Sequence, residues 1–106
     1  MTKILLLSDS KTMLSSLSER LQEENFDTTI SSNATAAEEI CHNKHFDIAI
    51  VDGNMPSHDI GLPTIVVVRK AEVESAVEAL RSGAIDYLST PIDMNQLLST
   101  LRTFDN

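Results

Sequence analysis

The chain has 106 residues, 42% apolar and 23% charged, the composition of one globular domain able to bury a core. Sixteen acidic against eight basic residues give a formal charge of −8, which argues against gripping a nucleic-acid backbone, where lysine and arginine must displace counterions. The single cysteine, Cys41, cannot form an internal disulfide and points to a reducing, cytoplasmic setting; no apolar run approaches a membrane span, and Ile4 to Leu7 is too short for a secretory leader.

Ile4 to Leu7 is an unbroken apolar run, which predicts a strand buried on both faces. It ends on Ser8, Asp9 and Ser10, and Ser10 is placed to cap a helix. Met13, Leu14, Leu17 and Leu21 recur at helical spacing, predicting a helix from Lys11 to Glu24 that Asn25 closes. Asp27 to Ile30, with two threonines, reads as a strand at a sheet edge. Asn33 or Ser32 caps a second helix, with Thr35 and Glu38 set as a capping box. Ala36, Ala37, Ile40 and Cys41 give that helix a narrow apolar face suited to close packing on a sheet.

Phe46 to Val51 is a second buried strand, and it ends on Asp52. Gly53, Asn54, Met55 and Pro56 do not continue it, and the chain as far as Pro63 has loop chemistry without a helical period. Thr64 to Val68 is a third buried strand. Glu72 to Ser82 follows as a helix with Val73, Ala76, Val77 and Leu80 inward and Gly83 beyond its end. Asp86 to Ser89 is a short final strand. Asp93 caps the last helix, whose buried stripe is Met94, Leu97, Leu98 and Leu101.

Strands alternate with helices, and the most apolar strands lie mid-pattern, which predicts a doubly wound α/β sheet with right-handed crossovers. The order 2-1-3-4-5 puts the two half-polar strands at the edges and the first and third side by side. Asp9 and Asp52 then meet at the switch point, where ligands bind in such sheets. Two carboxylates there repel, and a hard cation such as Mg²⁺ relieves the repulsion. Such a pair can bring a phosphoryl group to a carboxylate nucleophile and form an acyl phosphate. The plainer alternative is two ordinary aspartates in turns at the starts of helices. His42, His45 and His58 do not form a convincing metal set, and no glycine-rich phosphate loop is present.

Three stretches, KILLLSDS, FDIAIVDGNMP and SGAIDYLSTPI, together resemble a response-regulator receiver domain over nearly the whole chain. The resemblance implies a flavodoxin-like (βα)5 fold, a three-layer αβα sandwich, that accepts a phosphoryl group from a histidine kinase or phosphotransfer protein. It puts the phosphoacceptor at Asp52. It puts Mg²⁺ on Asp9, Asp52 and the backbone carbonyl of Asn54. Tyr87 matches the aromatic switch residue, and Pro91 matches the proline after the last strand, usually in a cis bond.

Departures from the family pattern are equally specific. The first acid of the usual pair is Ser8, whose hydroxyl can hold a metal-bound water but adds no charge. The family's switch hydroxyl falls on Val68, which has no donor, and its lysine falls on Thr90. Arg69 stands where a small residue is usual. Its guanidinium either reaches Asp52 as a substitute cation or points to solvent. Asp52 therefore remains open to modification, but the coupling from modification to switching is expected to be weak.

Asp52 to Pro63 is also too short for a full crossover helix, so the family's third helix is expected to be missing or reduced to a turn. That leaves one sheet face short of cover. Either a homodimer or another partner docks there, or a loop carrying Ile60 and Leu62 folds over it. The expected protein is thus a weakly switching receiver domain over 1–106, with room for an output domain in a longer protein. A phosphorylation-independent pseudo-receiver is the alternative. A phosphatase with Asp52 as nucleophile has least support, because Asn54, not a second acid, stands two residues on; no enzyme activity is expected.

Overall fold

The structure, a computed structural model, describes residues 2–52, 62–69, 85–90 and 92–105. Five strands, β1 (Lys3–Leu7), β2 (Asp27–Ser31), β3 (Ile48–Asp52), β4 (Thr64–Arg69) and β5 (Asp86–Thr90), form one parallel sheet in the order β2-β1-β3-β4-β5. Among the described residues the helices are α1 (Lys11–Glu23), α2 (Ala34–Asn43) and α3 (Met94–Asp105). The half-polar strands β2 and β5 take the edges, where Thr28 and Thr29 are half-buried and Ile30 is exposed.

Alternation along the strands divides the core into layers. Ile4 and Leu6 of β1, Ile48 and Ile50 of β3, and Ile65 and Val67 of β4 face α1 and α3, which supply Leu14, Leu17, Leu21, Leu97, Leu98 and Leu101. Leu5 and Leu7 with Ala49 and Val51 face the other way. They pack with Ala37 of α2 and Phe46, and Ile40, Cys41 and Leu62 lie against them. Burying a side chain of this size stabilises the fold by about 1.5–3 kcal/mol relative to leaving it exposed.

Local signals set the helix ends. Ser10 Oγ accepts the Met13 N–H at 3.3 Å and starts α1. At the far end Asn25 takes a left-handed φ of 69°, the Asn25 N–H donates to Gln22 O at 3.0 Å, and the Phe26 N–H donates to Leu21 O at 3.0 Å. This paired arrangement satisfies the last carbonyls, and it lets Phe26 pack on the core beside Leu21. Asn33 Oδ1 accepts the Ala36 N–H at 2.7 Å, so Asn33 rather than Ser32 caps α2. The expected capping box is corrected: with Asn33 as the cap, the third helical position is Ala36, which has no carboxylate to return the bond. Asp93 Oδ1 accepts from the Asn95 N–H at 2.9 Å and the Gln96 N–H at 3.4 Å, opening α3 as expected.

The sheet face expected to lack cover is buried among the described residues. Val66 is 1% and Val68 2% exposed, and they pack with a half-buried Tyr87. Leu62 lies half-buried against the apolar cluster that includes Ala49 and Phe46, as the loop alternative requires of it. The exposed large apolar side chains among the described residues are Ile30 and Ile85, outside these two clusters. The expectations for a missing or reduced helix after Asp52, for Ile60 and His58, for the Glu72–Ser82 helix with Gly83 beyond it, and for Pro91 lie outside the described residues.

Candidate functional site

Parallel register brings the carboxyl ends of four strands together. Leu7 is the Cα partner of Val51, so Ser8 and Asp9 emerge beside Asp52. Asp52 is the partner of Val67, and Val68 and Arg69 are the partners of Ser89 and Thr90. Each acid is there because a strictly apolar strand runs out at that point: Leu7 and Val51 are both 0% exposed. Beyond them Ser8 remains buried, Asp52 is half-buried and Asp9 is exposed.

The Ser8 hydroxyl donates to Asp52 Oδ2 at 2.8 Å, and Ser8 Oγ accepts the Ser10 N–H at 3.0 Å. Ser10 Oγ in turn accepts from Met13 at the first turn of α1. A short chain of hydrogen bonds thus runs from the start of that helix to the carboxylate. A hydrogen bond to a charged acceptor contributes about 1.5–3 kcal/mol. In place of the repulsion that a further acid at position 8 would add, the site has a neutral donor aimed at Asp52.

Other expected positions are placed less directly. Val68 turns into the apolar cluster with Val66 and Tyr87. The Tyr87 N–H donates to Asp86 Oδ1 at 2.8 Å, and Thr100 Oγ1 of α3 donates to Asp86 Oδ2 at 3.4 Å; these bonds tie β5 to the last helix. Thr90 is half-buried at the end of β5. Asn54 and the side chain of Arg69 lie outside the described residues. Among the described residues, no group of three or more His, Cys, Asp or Glu is placed to hold a metal ion, and no helix is long and apolar enough to cross a membrane.

The direct Ser8–Asp52 bond is what sequence reasoning missed. The strand order and the register of β1 against β3 were enough to find it, since one residue past the Leu7–Val51 pair puts Ser8 opposite Asp52.

The family model for the response regulator receiver domain matches residues 4–102. The chain belongs to the response regulator receiver domain family. This receiver domain is 33% identical over 107 residues to the regulatory protein AtoC of Escherichia coli, an alignment covering 90% of the chain and 23% of AtoC. It is 32% identical over 108 residues to the response regulator protein FleR of Pseudomonas aeruginosa, covering 91% of the chain and 23% of FleR. The receiver domain thus spans about a quarter of the length of these relatives. Among solved structures, the N-terminal signal receiver domain of a two-component system response regulator from Bacteroides fragilis superposes with a TM-score of 0.88 at 22% identity, covering 100% of this chain and 98% of that one. The receiver domain of the Francisella response regulator 1452 superposes with a TM-score of 0.85 at 23% identity, covering 98% and 96%. At such identity these two likenesses speak for the fold.

Proposed function

We propose that this receiver domain accepts a phosphoryl group on Asp52 from a histidine kinase or phosphotransfer protein, and that its response to the modification is weakened. The carrying observation is the position of Asp52: a half-buried carboxylate at the carboxyl end of central strand β3, between the ends of β1 and β4. The donor atoms available are oxygens, which suit a hard cation. Asp9, Asp52 and the Asn54 carbonyl are the residues proposed to hold Mg²⁺. When bound, the ion supplies charge neutralisation to the transferring phosphoryl group.

Asp52 supplies the nucleophilic oxygen, Ser8 holds its carboxylate in place, and Tyr87 is the proposed switch side chain. Weak switching follows from Val68, Thr90 and Ser8. None of the three contributes a charge, and Val68 contributes no donor, that would favour a modified state. Arg69 as a substitute cation belongs to the same proposal. So does the placing of the domain, over residues 1–106, in the N-terminal part of a longer regulator, in keeping with the 23% of AtoC and of FleR that the alignments cover.

The test is incubation of the chain with Mg²⁺ and acetyl phosphate, followed by mass spectrometry. We expect an acid-stable, hydroxylamine-labile adduct on Asp52, entirely lost in Asp52→Asn. The substitution of Ser8 and the filling of the Val68 position by packing favour one second reading, a pseudo-receiver that works without phosphate. Beryllofluoride with Mg²⁺ separates the two. Amide shifts near Asp52 and Tyr87 support the acceptor reading, and an unchanged spectrum supports the pseudo-receiver.

A further inference from the structure

We propose that Ser8 is a positioning residue that shortens the life of the acyl phosphate on Asp52, because its hydroxyl favours the free carboxylate over the modified one. The inference rests on the acceptor reading above. Ser8 is 0% exposed, its oxygen accepts the Ser10 N–H, and its one proton goes to Asp52 Oδ2 at 2.8 Å. Both bonding directions of the hydroxyl are therefore fixed by the fold.

In the forward step a carboxylate oxygen of Asp52 attacks phosphorus. The new O–P bond forms, the bond from phosphorus to the donor breaks, and its electron pair leaves with the donor. The aspartyl carboxyl group itself is then uncharged, whichever oxygen reacts. If the phosphoryl group is on Oδ1, Ser8 faces a carbonyl oxygen; if it is on Oδ2, Ser8 faces an ester oxygen. Bonds to an ionised acceptor are about twice as strong as bonds to a neutral one. Hydrolysis runs the other way. A water oxygen attacks phosphorus, the O–P bond to Asp52 breaks with its electron pair returning to the carboxylate, and the water's protons pass to phosphate and solvent. Negative charge grows on the departing carboxylate where the Ser8 proton already sits, the arrangement that lowers a barrier without reorganisation. An ionised aspartate at position 8 has no proton to give and produces no such bias.

The test uses the full chain, labelled with acetyl phosphate and Mg²⁺, then freed of reagent and followed for loss of the adduct. Ser8→Ala should lengthen the adduct's half-life about three- to tenfold, and Ser8→Thr should restore the shorter one. Isotope-edited infrared spectra of the unmodified proteins give a second readout. The carboxylate stretch assigned to Asp52 by its loss in Asp52→Asn should shift in Ser8→Ala and return in Ser8→Thr. A labelled Ser8→Ala chain with an unchanged or shortened half-life, or an unmoved stretch, overturns this inference alone. No label on wild type, Ser8→Ala or Ser8→Thr overturns the acceptor reading, and this inference with it.

Discussion

β3 is flanked by an aspartate at each end, and the two are held differently. At the amino end, Asp47 Oδ2 accepts the backbone N–H of Lys3 at 2.8 Å, and Asp47 Oδ1 lies 3.2 Å from His45 Nε2. At the carboxyl end, Asp52 Oδ2 accepts from the side chain of Ser8, also at 2.8 Å. Lys3 opens β1, and Ser8 follows its last residue. A backbone donor survives any substitution of Lys3 except proline, so Asp47 works as a clasp between neighbouring strands. A side-chain donor can be changed by one codon without disturbing the ladder, so the Ser8 contact to Asp52 is the adjustable one. Bond length does not separate the two acids; the origin of the donor does.

The comparison is broken most severely from between the two ends. Ile50 is 0% exposed in the middle of β3 and packs in the cluster beneath α1 and α3. Ile50→Ala should cost about 2–5 kcal/mol, read as a lower urea midpoint, and should loosen both aspartates together. A smaller and more selective effect is expected at the carboxyl end. Val68→Thr supplies the hydroxyl that the family pattern has at this position but places it among Val66 and Tyr87, so stability should fall by about 1–3 kcal/mol. In return, the beryllofluoride-induced amide shifts near Tyr87 should grow. Loss of stability without any larger response would show that the hydroxyl is not what the switch lacks.

The smallest effect belongs to the clasp. The Asp47 carboxyl is held below its usual value, first by the Lys3 N–H and then by His45, against the opposing influence of burial. A carboxyl group depressed in the folded state adds stability above its unfolded value, about 3.9, and that stability disappears as pH falls through the lower folded value. Asp47→Asn keeps an acceptor for the Lys3 N–H but removes the charge. The variant should be less stable than wild type at neutral pH by under about 1 kcal/mol, since the side chain is 37% exposed and solvent-screened. The gap should close as pH drops below 4, as urea midpoints measured along a pH series would show. A gap that stays constant across the series would remove charge from the account.

Much of this arrangement was legible from the residues. Ile4–Leu7, Ile48–Val51 and Thr64–Val68 are apolar without alternation, and only central parallel strands use such runs, so the order β2-β1-β3-β4-β5 followed from which strands could tolerate an edge. Asp52 stood out because the strand stops on it. The role of Ser8 was less accessible. Treated as a degraded acid it is only a loss, and its gain, a proton offered to Asp52, shows only once two strands distant in sequence are laid in register. The cover over Val66 and Val68 was equally hard to see, because the expected shortage was inferred from loop length. Their side chains are nonetheless buried, and Leu62 supplies a further apolar contact against the neighbouring cluster. Cys41 fits the reading of a packing residue, since its half-buried site pushes the thiol up from its ordinary value and keeps it in the poorly nucleophilic protonated form.

β1 is hydrogen-bonded to β2 on one side and to β3 on the other, although β3 begins at Ile48, well after β2 has ended at Ser31. That inner edge is completed by a strand far along the chain, so its closure is a non-local step of the kind that slows folding, and until it happens the apolar edge of β1 is open to any stray strand nearby.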